Sequence, residues 1–227
     1  MKGKLYLVST PIGNLKDITL RALDVLREVD LIAAEDTRRS GVLLREYNIK
    51  RPMVSYHDRN KRRQAGKLVD LLEHGKNCAV MSDSGTPGIQ DPSFYLVKLA
   101  IEAGIDIIPI PGASALLAAA VVSGLPIDRF AFEGYLPRRK GRKRKRLDAL
   151  REEPRTIIFF EAPHRVVDTL TDAMEILGDR DCVVGRELTK KFEEIQRGKI
   201  SGILSHYKKR GVRGEYVILV RGRGELQ

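Results

Sequence analysis

Two short runs rich in small residues are the parts of the sequence best suited to hold a small molecule. Residues 82–88 read SDSGTPG, and residues 109–115 read PIPGASA. Glycine and proline placed this closely let a backbone approach a ligand while the loop stays stiff. The alternative is a tight strand-to-helix connection, which needs fewer such residues. We therefore expect the two runs to line a shared small-molecule cleft.

Two polar segments could supply acid, base or anion-binding chemistry. Residues 35–39, EDTRR, put two acids ahead of two bases. This order suits the start of a helix, where acids favour the positive end of the helix dipole, or a polar site in a cleft. The sequence leaves both interpretations open. Residues 57–63, HDRNKRR, are a second candidate for contact with an anionic substrate.

Several common catalytic and binding patterns do not occur in the sequence. It has no GxGxxG dinucleotide fingerprint, no GxxxxGK[ST] phosphate loop and no GxSxG nucleophile turn. Its four histidines are scattered without an HExxH pair, and there is no CxxC, so we expect no metal. Cys78 and Cys182 both lie in apolar, strand-like runs. We interpret them as buried, reduced thiols rather than a disulfide.

The elements that must position these segments alternate between strands and helices in the first half of the chain. Short apolar runs predict strands, and apolar residues at helical spacing predict helices. The alternation is typical of an α/β unit with a largely parallel sheet, where ligands collect at the carboxyl ends of the strands. The predicted strands are residues 4–9, 31–35, 53–56, 79–82 and 105–110, and the predicted helices are residues 17–29, 62–74 and 92–103.

The second half is also α/β but more mixed, so the fold class we predict is a two-domain α/β protein. We place the boundary between a domain of residues 1–112 and a domain of residues 113–227. The predicted helices of the second half are residues 113–123 and 165–177. The predicted strands are residues 129–133, 156–160, 182–187 and 216–220, with weaker or edge strands at 193–197 and 199–203.

Positive charge is concentrated in one place. The 227 residues carry a formal net charge of +11, and eight of the nine residues from 138 to 146 are basic. We call residues 138–146 the basic run. A polyanion is the first partner to consider, although such a run can also be a solvated, flexible segment.

The longest apolar stretch, residues 113–122, is about half of what a membrane span needs. The apolar run near the N-terminus is too short for a signal peptide, so we expect a cytoplasmic protein with no membrane partner.

The strand-end loops resemble those of a known family. VSTPIGNL, AAEDTR, SDSGTPGIQDP, IPIPGASA, FFEAPHR, GRELTKKFE and GEYVILV occur in this order and spacing. They resemble the tetrapyrrole methylase superfamily, from about residue 3 to residue 221. Within it, they are similar to the branch of small-subunit ribosomal RNA methyltransferases that methylates a cytidine ribose 2′-oxygen in the decoding region. The resemblance implies a two-domain tetrapyrrole methylase-like fold, S-adenosylmethionine in the cleft between the domains, and a homodimer.

The resemblance also implies roles for individual residues toward the cofactor. Pro11 would wall the site, and Ser114 and Ala115 would lie near the sulfonium. The superfamily often has Asp where Thr86 stands. The residues expected along the methionine part are Ser84, Gly85 and Thr86, covered by Ile89, and those expected to border the adenine are Phe160, Glu161, Leu188 and Tyr216.

The acceptor side is less defined by the sequence. A ribose hydroxyl is a poor nucleophile, so a base or a polarising cation should lie near it. The candidate acids are Asp36, Asp83 and Glu133, and the candidate cations are Arg38 and Lys140. The residues expected to bind RNA are Arg138, Arg139, Lys140, Arg142, Lys143, Arg144, Lys145 and Arg146.

Three hypotheses for the substrate follow. The chain is a ribosomal RNA 2′-O-methyltransferase acting on free RNA or on the assembled small subunit, a small-molecule methyltransferase of the tetrapyrrole type, or a non-catalytic RNA-binding protein. The basic run disfavours a tetrapyrrole acceptor, since a small carboxylated ring needs no such stripe of charge. Longer members of the branch carry a helical C-terminal domain thought to aid RNA binding, whereas this sequence ends soon after GEYVILV. We therefore expect RNA binding to rely on the basic run and on dimerisation.

Overall fold

The computed structural model describes residues 1–224 and divides the chain into two compact units. Unit 1 is Met1–Ser114, and unit 2 begins at Ala115. The boundary expected from the sequence lies two residues before this division. The predicted α/β class is confirmed, because each unit packs helices against its own sheet.

Unit 1 is built on a parallel sheet. Within residues 1–114, five strands hydrogen-bond in the order β3-β2-β4-β1-β5, and every neighbouring pair is parallel. The strands are β1 Lys4–Val8, β2 Leu31–Ala34, β3 Met53–Ser55, β4 Cys78–Met81 and β5 Asp106–Ile110. The helices are α1 Leu20–Glu28, α2 Thr37–Glu46, α3 Lys61–Glu73 and α4 Ser93–Glu102.

Apolar side chains cover both faces of this sheet. Leu26 of α1 and Leu43 of α2 pack on one face, whereas Leu68 of α3 and Leu96 of α4 pack on the other. Burial of a leucine side chain contributes about 1.5–3 kcal/mol, so these helices are held mainly by their inward stripes. Because all five strands run the same way, their carboxyl ends meet at one edge.

Unit 2 is built on a mixed sheet. Between residues 115 and 224, five strands follow the order β6-β7-β10-β8-β9, with β6 parallel to β7 and the other neighbours antiparallel. The strands are β6 Phe130–Tyr135, β7 Thr156–Glu161, β8 Asp181–Arg186, β9 Glu194–Lys199 and β10 Tyr216–Val220. The helices are α5 Ala115–Val121, α6 Lys140–Ala149, α7 Val166–Leu177 and α8 Ile200–Arg210.

One predicted element is wrong, and two segments that had two open interpretations form helices. The weak strand predicted at residues 199–203 is wrong, because Ile200 begins helix α8 and packs with Ile203, Leu204 and Tyr207 in the core. Helix α2 begins at Thr37 with Asp36 as its N-cap, which agrees with the interpretation of residues 35–39 as the start of a helix. The basic run enters helix α6 at Lys140, so most of it is not a flexible segment.

Candidate functional site

The loops after β1 and β4 are joined at the carboxyl edge of the unit 1 sheet. The backbone N–H of Thr10 donates to the carbonyl of Gly85 at 2.9 Å, and the N–H of Gly85 donates to the carbonyl of Thr10 at 3.1 Å. The Thr10 hydroxyl lies 3.3 Å from the carbonyl of Ser82. The two loops are therefore held as one rigid piece next to the β5 loop.

A chain of hydroxyl groups adds the third loop. Ser9 Oγ donates to Thr86 Oγ1 at 3.2 Å, and Thr86 Oγ1 donates to the Ala113 carbonyl at 3.3 Å. Gly112 lies so close that a Cβ there would be 2.9 Å from the Cβ of Ser9. The two small-residue runs singled out in the sequence thus meet, and Thr86 bridges them.

Glycine at two positions shapes the surface of this junction. Gly85 has φ +83° and Gly88 has φ +91°, which favour a residue without a side chain. A Cβ on Gly85 would approach Ile12 Cγ2 at 3.4 Å, while one on Gly88 would meet open space. Ser84 and Ile89 are exposed beside them. The exposed backbone at Gly88, with the small hydroxyl residues Ser84 and Thr86 near it, fits an extended, polar small molecule such as the methionine part of S-adenosylmethionine.

Three carboxyl groups lie at the same edge, after β2 and β4: those of Glu35, Asp36 and Asp83. Asp83 Oδ1 accepts from the Asp36 backbone N–H at 2.8 Å, and its other oxygen is 3.6 Å from Arg39. Asp36 caps helix α2 through the Arg38 N–H at 2.9 Å and binds the Arg38 guanidinium at 2.8 Å. Side-chain and backbone bonds from Arg38 hold the pKa of Asp36 well below its usual range. Both interpretations of residues 35–39 apply: the segment starts a helix and forms part of a polar cluster.

Glu35 is a residue that the sequence did not single out. Its pKa is raised, because burial disfavours its charge and the carboxylates of Asp83 and Asp91 lie near it. A bond from the Asp83 backbone acts in the opposite direction but is outweighed. A carboxylate with a raised pKa is a better proton acceptor than Asp36. The EDTR segment itself was the signal, but nothing in it distinguishes the two acids.

The expected adenine neighbours divide between the two faces of the unit 2 sheet. Glu161 and Tyr216 pair across β7 and β10 and face the buried cluster beneath α7 and α8. Phe160 is half-buried on the opposite face and makes an edge contact with Phe132 at 5.1 Å. Leu188 is buried just after β8. Side-chain contact with a cofactor is thus open to Phe160, whereas Glu161 and Tyr216 lie in the interior.

Glu161 is fully engaged within unit 2. It is 1% exposed and accepts from Thr169 Oγ1 at 2.7 Å and from the Ala162 N–H at 2.9 Å. Arg165 lies 3.3 Å away and also donates to the carbonyls of Leu136 and Pro137, just before the basic run. The FFEAPHR segment therefore holds the strand β7 and the entry to α6 together.

The basic run separates into paired and unpaired side chains. Lys143 is 5% exposed and lies 2.8 Å from Asp172, while Arg144 binds Asp172 at 2.6 Å. Arg146 forms a two-bond pair with Glu133 at 2.5 and 2.7 Å, which occupies that candidate acid. Within the part of the chain that the structure describes, five side chains of the run are exposed and have no ion pair: Arg138, Arg139, Lys140, Arg142 and Lys145.

The cysteines add little chemistry. Cys78 and Cys182 are both free and buried, as expected, and burial raises the pKa of Cys78 to about 11. Among residues 1–224, no group of three or more His, Cys, Asp or Glu side chains is arranged to hold a metal ion. No helix among these described residues is long and apolar enough to cross a membrane.

Comparison with protein families places these loops in a known context. The model of the family "Tetrapyrrole (Corrin/Porphyrin) Methylases" matches residues 4–204. A Thermotoga maritima protein named ribosomal RNA small subunit methyltransferase I is 49% identical over 97% of this chain and 99% of its own length. A Bacillus subtilis protein of the same name is 49% identical over 97% of this chain and 75% of its own length.

Solved structures share the fold at much lower sequence identity. Diphthine synthase superposes with a TM-score of 0.75 at 15% identity, covering 96% of this chain and 90% of that one. A uroporphyrin III C-methyltransferase from Thermus thermophilus, complexed with S-adenyl homocysteine, superposes with a TM-score of 0.66 at 17% identity. That match covers 96% of this chain and 97% of the other.

Proposed function

This chain belongs to the tetrapyrrole (corrin/porphyrin) methylase family, and from that premise we propose that it methylates small-subunit ribosomal RNA with S-adenosylmethionine. The acceptor is the ribose 2′-oxygen of a cytidine in the decoding region. The observation that carries the proposal is the 49% identity to the Thermotoga maritima small-subunit methyltransferase over almost the full length of both chains.

The resemblance assigns cofactor contacts to residues of each unit. S-adenosylmethionine, when bound, supplies a methyl group activated by its sulfonium. In unit 1, Pro11, Ser84, Gly85, Thr86 and Ile89 hold the amino-acid part, and the rigid junction of three loops keeps this surface in one shape. The resemblance also assigns contacts to Ser114, Ala115, Phe160, Glu161, Leu188 and Tyr216, with Glu161 and Tyr216 acting through their backbone or through the packing of β7 and β10. A methyl transfer depends on in-line alignment, so a preformed surface supports it.

We assign removal of the proton from the ribose hydroxyl to the carboxyl groups of Glu35, Asp36 and Asp83 in unit 1, which we call the acid cluster. Glu35 is the base we favour, because Asp36 is held as a stable carboxylate by Arg38. Asp83 orders the cluster through the Asp36 backbone. Exposed cations of the basic run, Lys140 among them, meet RNA phosphates.

A tetrapyrrole acceptor is the main competing proposal, since the family name and several structural neighbours point to it. Those neighbours are only 17–20% identical to this chain, which supports a shared fold and nothing finer. A non-catalytic RNA-binding protein would need the cationic helix α6 but not the joined loops of unit 1. We propose that the enzyme acts as a homodimer in the cytoplasm. Sedimentation of the purified protein would test whether it is a dimer.

Labelled methyl transfer tests the proposal. S-adenosylmethionine carrying a labelled methyl group is offered with assembled small subunits, naked ribosomal RNA and uroporphyrinogen in parallel. We expect the label in ribosomal RNA, whether this is offered as the assembled subunit or as naked RNA, and no label in the tetrapyrrole. Label in uroporphyrinogen alone, or cofactor binding without transfer to any acceptor, would overturn the proposal.

A further inference from the structure

A groove on unit 2 combines charged and aromatic side chains outside the expected cofactor positions. It has a volume of about 980 Å³ and lies between the segment leading into α6 and the segment leading into α7. Tyr135, Arg138 and Lys140 line one side, and His164 and Asp168 line the other. This volume is at the upper end of the range of about 300–1,000 Å³ that is usual for ligand sites.

The floor of the groove is fixed by a buried network of charges. Lys143 and Asp172, 6% and 5% exposed at their side chains, form an ion pair at 2.8 Å, and Lys143 donates to Thr169 at 3.3 Å. Arg144 binds both Asp172 and Glu175 at 2.6 Å. These four charges compensate one another, so the floor is close to neutral and holds α6 against α7.

The rim carries the charges that remain free to meet a ligand. Arg138 and Lys140 are exposed and have no ion pair with any residue between 1 and 224. Asp168 is exposed as well, and within the same described range it also has no ion pair. Two uncompensated cations therefore face one uncompensated acid across the groove, an arrangement that attracts an anion of extended shape.

An exposed aromatic ring distinguishes this groove from a simple anion site. Tyr135 is 51% exposed, and its ring contacts Phe160 edge-on with centroids 5.6 Å apart, which fixes its orientation. An exposed aromatic face next to cations is the combination with which proteins bind single-stranded nucleic acid, because every base can stack and every phosphate is charged.

We propose that this groove binds a single-stranded segment of the RNA substrate, with two phosphates at Arg138 and Lys140 and one base stacked on Tyr135. The proposal rests on the proposed function and narrows it: Lys143, Arg144 and Arg146 serve the fold, while the groove side of α6 contacts RNA. Asp168 repels the phosphate backbone of the bound RNA and so lowers the affinity of the groove for RNA.

Binding of a short labelled single-stranded RNA, followed by fluorescence anisotropy over a series of salt concentrations, tests the groove. The double variant R138A/K140A is expected to reduce the salt slope by roughly 1.4, at about 0.7 for each phosphate contact. The variant R142A/K145A removes the same charge from exposed positions of α6 that do not line the groove, and is expected to reduce the slope by less than half as much. Tyr135→Ala is expected to weaken binding by roughly 5- to 150-fold.

Asp168→Asn gives a result of the opposite sign. Removal of this acid is expected to strengthen RNA binding several-fold, which neither a loss of folding nor a general loss of charge would produce. Equal changes in the salt slope for the two double variants, or an unchanged RNA affinity of Asp168→Asn, would overturn the proposal that the groove binds RNA. Methyl transfer by the wild-type enzyme would not be affected by that result. A wild-type protein that neither binds nor methylates RNA would instead overturn the proposed function.

Discussion

Replacement of Lys143 by alanine should destabilise the protein far more than replacement of Lys145, two residues along the same helix. Lys143 is buried and its ammonium lies 2.8 Å from Asp172, whereas Lys145 is exposed. Both belong to the basic run, and if the whole run were solvated, replacing either lysine would change the stability equally little.

The expected magnitude follows from the partners that remain. Removal of one member of a buried ion pair costs about 3–5 kcal/mol, because the other charge stays buried. Arg144 still binds Asp172 at 2.6 Å, so we expect the lower end, about 3 kcal/mol. For a chain of this length, 1 kcal/mol lowers Tm by roughly 2–4 °C, which gives a loss of roughly 6–12 °C.

The pH dependence gives the prediction a second readout. Burial raises the pKa of Asp172, but bonds from Lys143 and Arg144 outweigh it and the pKa is lowered. The stability gained from a lowered carboxyl pKa is present above the unfolded value of about 3.9 and is lost as pH falls through the folded value. The gap between wild type and Lys143→Ala should therefore narrow below about pH 4.

Thermal unfolding by circular dichroism at pH 7 and at decreasing pH is the assay. Lys145→Ala is the matched control and is expected to stay within about 0.5 kcal/mol of wild type. Equal Tm values for the two variants would refute the buried network, and with it the division of the basic run into structural and exposed side chains.

Three further predictions concern other parts of the chain. Gly85→Val should abolish binding of S-adenosylmethionine in calorimetry, since a β-branched residue is strained at φ +83°, while RNA affinity stays near wild type. Glu35→Gln should raise Tm at pH 7 but not below about pH 4, because a carboxyl whose pKa is raised by folding destabilises the fold only when it is ionised; an unchanged Tm at pH 7 would contradict its burial. Cys78 and Cys182 should resist iodoacetamide at pH 8 until the protein unfolds, and rapid modification of the native protein would contradict the buried thiols.

Local patterns were enough for most of the fold. The short apolar runs of unit 1 predicted all five of the strands within residues 1–114 to within two residues at each end, because a buried parallel strand is apolar throughout. Helix α8 was missed although Ile200, Ile203, Leu204 and Tyr207 have helical spacing. Its first turn contains Ile200, Gly202 and Ile203, which are β-branched or glycine, and it follows an edge strand directly, so a strand was the nearer interpretation.

The environments of individual side chains could not be predicted in the same way. Lys143 meets Asp172, and Glu35 lies near Asp83, across 29 and 48 positions of the sequence. Only tertiary packing brings such pairs together, so the sequence indicated the run and the acids but not which members are buried or paired. The junction of Thr10 with Gly85 was predictable in outline, since strand ends in a parallel sheet share one edge.

Analysis of the methylated nucleoside tests the central claim most directly. Small-subunit RNA from a reaction with labelled S-adenosylmethionine is digested to nucleosides, and the labelled product is identified by mass spectrometry. The account predicts 2′-O-methylcytidine from the decoding region, formed by wild type and absent with Gly85→Val. A label on a base carbon or nitrogen, on another nucleoside, or on no RNA at all would contradict it.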